Sequence, residues 1–149
     1  MTQIASLPGW FASVLAVLAV AVSPPAAAID PKDLLDPEDA FRLAVVTLDA
    51  RSAQIEFRIA EGYYLYRDRF RFETAAGKVI ADAELPSGKV KQDPFFGRTE
   101  IYRDRVRIRV PLPGADLRRG ARLKVISQGC SDSAVCYIPQ EQWVDLRLK

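Results

Sequence analysis

The chain has 149 residues, of which 49% are hydrophobic and 27% charged, and its net charge is +2. This composition is typical of one globular domain and excludes a disordered chain or a strongly basic nucleic-acid-binding protein. Histidine is absent and methionine occurs only at Met1, which excludes histidine-dependent triads, imidazole zinc sites and a thioether copper site in a processed chain. The eight glycines form neither a dinucleotide-binding motif nor a P-loop. We therefore expect no metal and no cofactor, and the chemistry that remains is that of sulfur.

The first 28 residues are predicted to be a secretory signal peptide. Trp10–Val22 is an apolar run of 13 residues, and Ala26–Ala28 supplies a cleavage site of the A-x-A type. The competing interpretation is a retained membrane anchor, which requires about 20 apolar residues, more than this run has. Cleavage after Ala28 leaves one domain, residues 29–149. Export places that domain in a compartment where disulfides form and persist.

Short strands are predicted along the rest of the chain. Phe41–Leu48 is the first strand, followed by a turn at Asp49–Ser52. Apolar residues then alternate with polar ones at Ile55, Phe57 and Ile59, which is the period of a strand with one solvated face. Further strands are predicted at Tyr63–Tyr66, around Phe70 and Phe72, and at Val79–Leu85, Ile101–Leu112, Leu123–Ser127 and Val144–Leu148.

This succession of about eight short strands, separated by glycine, proline and aspartate, predicts an all-β antiparallel sandwich. Within Ile101–Leu112 the apolar side chains of Val106, Ile108 and Val110 are expected to face the core. The three arginines between and before them (Arg105, Arg107 and Arg109) are expected to form a solvated face rather than a binding stripe.

The segment Asp93–Gly97 interrupts the strand pattern. Phe95 and Phe96 are adjacent, and successive side chains of a strand point to opposite faces, so both cannot enter one core. With Pro94 before them and Gly97 after them, the sequence predicts a loop that carries exposed or half-exposed aromatic rings.

The two cysteines are Cys130 and Cys136. On one straight strand their Cα atoms would lie about 20 Å apart, whereas a disulfide requires a separation below about 7 Å. If the thiols pair, the chain must double back between them, and Ser131–Ser133 is a suitable turn. The sequence then predicts two strands joined by a tight loop, with a sulfur on each.

A disulfide here has two interpretations. As a structural bond it would stabilise the fold by only about 2.4 kcal/mol, because its loop is about seven residues, against about 4.7 kcal/mol for a loop of 100. As a redox pair it would benefit from its place at a hairpin, where a partner's thiolate can reach it. Composition alone favours the structural bond.

Three blocks of sequence, in order, resemble the N-terminal periplasmic domain of the thiol:disulfide interchange proteins of the DsbD family. They are Gly62–Arg67 (GYYLYR), Asp93–Arg105 (DPFFGRTEIYRDR) and Gln128–Pro139 (QGCSDSAVCYIP). The resemblance extends over about Leu35 to Leu148. Differences from the family pattern occur at Pro94, in place of an acidic residue, at Ala134, in place of a frequent glycine, and at Ile138, in place of a proline.

The resemblance implies an immunoglobulin-like sandwich that acts as a protein-disulfide reductase component. It would take reducing equivalents from a membrane electron carrier or a thioredoxin-like domain. The acceptors would be oxidised periplasmic thioredoxin-fold proteins of the disulfide isomerase or cytochrome c maturation type. By position Cys136 would be the nucleophile and Cys130 the resolving cysteine of one disulfide. The domain is expected to be free-standing and monomeric.

The resemblance also implies a cap loop that covers the sulfurs with an aromatic ring and swings away on docking. Phe95 matches the position of that ring, and its alternative is a place in a small satellite core. The tyrosines near the cysteines are expected either to frame the site or to pack as ordinary sandwich residues. The cap residues are Asp93, Phe95, Phe96 and Gly97, and the frame residues are Tyr64, Tyr66, Asp132 and Tyr137. No strongly positive residue is near the cysteines in sequence, and Asp132 between them is expected to oppose thiolate formation. We therefore expect thiols that react slowly until a partner docks.

Overall fold

The computed structural model describes residue 30 and residues 33–148. The predicted signal peptide lies outside these residues. Among them, no helix is both long and apolar enough to span a membrane. The described part contains a one-turn helix, α1 (Pro37–Ala40), a 3-10 helix (Arg67–Arg69) and ten strands. The strands are β1 (Phe41–Leu48), β2 (Ser52–Ile59), β3 (Tyr63–Tyr66), β4 (Arg71–Thr74), β5 (Lys89–Asp93), β6 (Gly97–Tyr102), β7 (Arg105–Pro111), β8 (Ala121–Ser127), β9 (Gly129–Ser131) and β10 (Gln140–Leu146).

The strands form three antiparallel sheets, in the orders β1-β2-β7, β10-β8-β4 and β5-β6-β3-β9. The main core joins apolar side chains of the first sheet, such as Phe57 and Ile108, to those of the second, such as Phe72 and Leu123. Because side chains alternate across each strand, every second residue enters this core. The predicted immunoglobulin-like antiparallel sandwich is confirmed.

Strand β3 is buried on both faces, and this positions the site. Tyr63 and Leu65 face the main core, whereas Tyr64 and Tyr66 enter a second buried cluster with Ile101. The neighbours of β3 are β6 on one side and β9 on the other. A four-residue strand with no solvent-exposed face therefore contributes side chains to two separate buried clusters.

Two predicted strands differ from the structure. Val79–Leu85 is not a strand, because Val79 is 59% exposed and the segment makes only isolated bridges to its neighbours. Ile101–Leu112 is divided between β6 and β7 by a turn in which Asp104 has φ 60°. Strand β5 was not predicted, because Lys89–Asp93 is a largely exposed edge strand without an apolar alternation.

The predicted polar face of β2 is also different in one respect, since Glu56 is only 4% exposed. Its carboxylate lies 2.7 Å from Arg107, 3.0 Å from Arg58 and 3.6 Å from Arg105, and these side chains cover it. Paired charges explain how an acidic residue is buried on that face. The outward orientation of the β7 arginines is confirmed, with Val106, Ile108 and Val110 buried behind them.

Candidate thiol–disulfide site

The chain doubles back between the two cysteines, as the sequence predicts for a bonded pair. Cys130 lies on β9 and is joined by a disulfide to Cys136, with the Cα atoms 4.0 Å apart. The turn is closed by backbone hydrogen bonds from Ser131 to Val135 (2.8 Å) and from Ala134 to Ser131 (3.1 Å). Ala134 has φ 62°, the left-handed conformation that favours glycine.

The hairpin is fitted tightly against β3. Cys130 is the register partner of Tyr64 on that strand. Just before it, Gly129 has no room for a side chain. An added Cβ would collide with the carbonyl oxygen of Tyr64 and lie 2.6 Å from the ring of Phe41. Glycine at this position therefore allows the close approach that brings the first sulfur into the second cluster.

The two sulfurs differ in exposure. Cys130 is 0% exposed, whereas Cys136 is half-buried at the edge of the same cluster. The hydroxyl oxygen of Tyr66 lies 3.1 Å from Cys130 Sγ and 3.9 Å from Cys136 Sγ. A reagent or partner from solvent therefore reaches Cys136 more readily than Cys130.

A buried carboxylate, that of Asp93, lies behind the tyrosines. Its Oδ2 accepts hydrogen bonds from Tyr66 (2.8 Å) and Tyr64 (3.0 Å), and its Oδ1 accepts the backbone N–H groups of Phe95 (2.9 Å) and Phe96 (3.2 Å). Burial by itself raises the pKa of this carboxyl, but the four hydrogen bonds outweigh burial and lower the pKa to about 2. Asp93 is therefore ionised at every physiological pH.

The same contacts suppress ionisation of the tyrosines. Burial is the main cause that raises the pKa of Tyr66, and the neighbouring hydroxyl of Tyr64 and the charge of Asp93 raise it further. Burial likewise raises the pKa of Tyr64. A tyrosine hydroxyl has one hydrogen, and the shorter, charge-assisted bond to Asp93 takes it. The hydroxyl of Tyr66 consequently turns an oxygen lone pair, not its hydrogen, toward Cys130 Sγ.

The loop between β5 and β6 carries the exposed aromatic rings that the sequence predicts. Phe95 is 56% exposed and Phe96 is 38% exposed. The ring of Phe96 packs edge-on against Tyr66, with 4.9 Å between ring centroids. Gly97, with φ 67°, then directs the chain into β6. Asp93 thus joins this loop to Tyr64 and Tyr66 by hydrogen bonds, and Phe96 adds a ring contact with Tyr66.

The other two predicted frame residues lie in different places. Asp132 is exposed at the hairpin and forms a two-bond ion pair with Arg103, at 2.6 Å and 3.0 Å. The hydrogen bonds from Arg103 lower the pKa of Asp132. Tyr137 packs on Phe41 and Tyr63 at the edge of the main core, and burial raises the pKa of its hydroxyl to about 12. Tyr137 is therefore outside the cluster that contains the sulfurs.

Sequence reasoning did not single out three basic residues at this site. Lys91 lies 3.4 Å from Asp93 and 5.0 Å from the ring centre of Tyr64, and Arg103 lies 5.2 Å from the same ring centre. Arg69 lies 4.3 Å from the ring centre of Phe96. Only Lys91 had a local signal, since it precedes Asp93 by two residues, the spacing of one strand face.

The fold and site together define a class of protein, an immunoglobulin-like β-sandwich with one partly accessible disulfide set beside buried tyrosines. Comparison with known families is more specific. The family described as thiol:disulfide interchange protein DsbD, N-terminal, matches residues 31–148. The chain belongs to this family.

Curated relatives agree with this assignment. The thiol:disulfide interchange protein DsbD of Ralstonia nicotianae is 41% identical over 119 residues, which cover 78% of this chain and 19% of that protein. DsbD 1 of Pseudomonas aeruginosa is 37% identical over 119 residues, covering 79% of this chain and 20% of that protein. The chain therefore spans about a fifth of the length of these relatives.

Solved structures show the same fold. The N-terminal domain of Neisseria meningitidis DsbD in the reduced form is 29% identical, with a TM-score of 0.71 over 80% of this chain and 94% of that chain. A second structure is that of the complex between the DsbD N-terminal and the PilB N-terminal domains from the same organism. It is also 29% identical, with a TM-score of 0.62 over 76% of this chain and 87% of that chain.

Proposed function

We propose that this chain is an exported thiol–disulfide exchange domain in which Cys130 and Cys136 alternate between one disulfide and two thiols. The observation that carries the proposal is the asymmetry of the pair, with Cys130 wholly buried and Cys136 half-buried at a hairpin. Exchange requires one sulfur that a partner can reach and a second that is held beside it. Membership of the DsbD N-terminal family supports the same role.

The asymmetry supports Cys136 as the nucleophile and Cys130 as the resolving cysteine. The thiolate of Cys136 attacks a sulfur of the partner's disulfide, and the partner's other sulfur leaves as a thiolate and takes a proton. The thiolate of Cys130, its proton lost to solvent, then attacks Cys136 Sγ in the mixed disulfide and releases the partner's second sulfur as a thiolate, which also takes a proton. Two electrons and two protons have then passed to the partner, and the Cys130–Cys136 bond has formed again.

The substrates proposed are oxidised thioredoxin-fold proteins of the periplasm, of the disulfide isomerase or cytochrome c maturation type. A related N-terminal domain was solved in complex with another protein domain, which shows that a member of this family binds a protein partner. The reducing equivalents would come from a membrane-embedded electron-transfer protein or a thioredoxin-like domain. The domain would act as a monomer, with its leader cleaved after Ala28.

The loop Asp93–Gly97 would act as a cap that moves aside when a partner docks. Phe95 is the more exposed of its two rings and would meet the partner, while Phe96 packs on Tyr66. Tyr64 and Tyr66 would frame the sulfurs. Asp93 would hold the two tyrosines in place by accepting hydrogen bonds from their hydroxyls.

Trapping a covalent intermediate tests the proposal. In the reduced Cys130→Ala variant, Cys136 can attack an oxidised thioredoxin-fold domain, but this domain lacks the Cys130 thiol that would release the reduced partner from the product. A stable mixed disulfide, seen by non-reducing electrophoresis and mass spectrometry, is therefore expected. Cys136→Ala is the matched control and should give none. Failure of both variants to form an adduct with any periplasmic thioredoxin-fold protein would contradict the proposal.

The complete burial of Cys130 favours a second candidate function, an immunoglobulin-like interaction domain with a passive disulfide. A redox titration of the wild-type domain distinguishes the two. A structural bond should have a reduction potential below about −300 mV, whereas an exchange domain should lie at a higher potential, near those of its partners.

A further inference from the structure

Besides the hydrogen bonds of Asp93, the cap loop makes a second contact that holds it in place, between Phe96 and Arg69. The guanidinium carbon of Arg69 lies 4.3 Å from the centre of the Phe96 ring. Phe96 in turn packs edge-on against Tyr66, whose hydroxyl oxygen is 3.1 Å from Cys130 Sγ. One ring of the loop is therefore set between a cation and the tyrosine beside the disulfide.

Arg69 reaches this position because of local structure. The 3-10 helix Arg67–Arg69 begins directly after Tyr66, the last residue of β3. One tight turn brings the side chain of Arg69 back over the end of the strand it has just left. Arg69 and Tyr66 thus approach Phe96 from a single continuous segment, while Phe96 comes from the loop between β5 and β6.

The contacts of Arg69 show that the Phe96 ring is its main partner. Its Nε is buried and has no hydrogen-bond partner among the described residues. The nearest carboxylate oxygen, of Asp68, lies 3.9 Å away, too far for a hydrogen bond. A guanidinium that leaves a donor unsatisfied is stabilised here by the face of an aromatic ring, which attracts cations.

We propose that Arg69 is a positioning residue that fixes the cap loop on Tyr66 through Phe96, and so limits how fast a thiol reaches the Cys130–Cys136 disulfide. Arg69 does not touch the sulfurs and acts only by keeping the loop closed. The inference rests on the proposed function only in that the disulfide is the reacting group. A small dithiol can test it without any protein partner.

The experiment measures reduction of the oxidised domain by dithiothreitol. One thiolate of the reagent attacks Cys136 Sγ and Cys130 leaves as a thiolate that takes a proton. The second thiol of the reagent then closes its own disulfide and releases Cys136, so the protein disulfide is reduced and the reagent oxidised. The rate is read by acid quenching, alkylation of the new thiols and mass spectrometry.

The variants are Arg69→Gln, Phe96→Leu and the double variant, with Arg98→Gln as the matched control. Arg98 is an exposed arginine at the start of β6, close to Phe96 in sequence. Losing a cation–π contact of the exposed class should accelerate reduction about two- to fivefold in Arg69→Gln. Phe96→Leu should also be faster, and the double variant no faster than Phe96→Leu alone, because Arg69 acts through that ring. Arg69→Lys keeps the positive charge but loses the planar guanidinium, so its reduction rate should lie between those of the wild type and Arg69→Gln.

Two further measurements separate loop closure from a general structural role. The reduction potential of Arg69→Gln should equal that of the wild type, because Arg69 contacts the loop and not the disulfide. Its melting temperature should fall by no more than a few degrees, the effect of losing one exposed cation–π contact. A wild-type rate in Arg69→Gln, an equal acceleration in Arg98→Gln, or additive effects in the double variant would overturn the proposal. A failed Cys130→Ala trap with an accelerated Arg69→Gln would instead count against the proposed function and leave this inference standing.

Discussion

Tyr66 directs an oxygen lone pair at the sulfur of Cys130, from 3.1 Å, because its single hydrogen is donated to Asp93 at 2.8 Å. While the disulfide is intact, no hydrogen lies between the Tyr66 oxygen and the Cys130 sulfur. After reduction the Cys130 thiol carries a hydrogen and can donate it to the hydroxyl oxygen of Tyr66. The site is therefore arranged so that one hydrogen bond is added on reduction.

This relationship predicts the effect of Tyr66→Phe on the reduction potential. The reduced state would lose a hydrogen bond that the oxidised state does not have, at a cost of about 0.5–1.5 kcal/mol. The potential should become more negative by about 10–30 mV, measured by equilibration with a thiol–disulfide buffer. Tyr137→Phe is the control, since its hydroxyl bonds Leu35 instead, and it should leave the potential unchanged. A potential that rises in Tyr66→Phe would contradict the arrangement.

Asp93 should make the domain sensitive to acid. Its pKa is lowered to about 2 in the folded protein, against an ordinary value of 3.8, so its hydrogen bonds stabilise the fold above pH 4. That contribution is lost as the pH falls from about 4 through 2, because the protonated carboxyl is a weaker acceptor. Urea unfolding at pH 5 and pH 2.5 should therefore show a smaller loss of stability in Asp93→Asn than in the wild type. Asp82→Asn, at an exposed position, is the control and should lose as much stability between pH 5 and pH 2.5 as the wild type does. An equal loss in all three proteins would exclude this role for Asp93.

Arg103 supplies the counter-charge that the sequence around the cysteines lacks. It holds Asp132 in a bidentate ion pair at the hairpin. Arg103→Gln would leave the carboxylate of Asp132 uncompensated beside the cysteines and disfavour the thiolate. Alkylation of the reduced domain by iodoacetamide at neutral pH should slow about two- to fivefold, the range of an exposed ion pair. Adding Asp132→Asn should restore the rate, and a double variant as slow as Arg103→Gln would refute this explanation.

Ala134 occupies a backbone conformation that favours glycine. Its φ is 62°, and a side chain there costs about 1 kcal/mol relative to glycine. Ala134→Gly should therefore raise the free energy of unfolding of the oxidised domain by up to about 1 kcal/mol. Ala76→Gly, in an exposed turn, is the comparison and should not stabilise, because it only adds freedom to the unfolded chain. Equal effects of the two substitutions would show that the backbone conformation of Ala134 does not matter.

The sequence by itself determined the sandwich and the place of its site. Alternation of apolar residues marked β2 and β7, because a strand with one buried face has a period of two. The turn between the cysteines followed from the reach of a disulfide, and the exposed loop followed from two adjacent phenylalanines. Each of these depends on residues close together in the chain.

The tertiary structure alone decided how the site is assembled. Tyr66 meets Asp93 across 27 residues of sequence and Cys130 across 64, and Arg103 meets Asp132 across 29. These contacts depend on the pairing of β3 with both β6 and β9, which no local pattern encodes. The buried carboxylate, its tyrosines and the arginines around them come together only because a strand buried on both faces brings distant segments to one cluster.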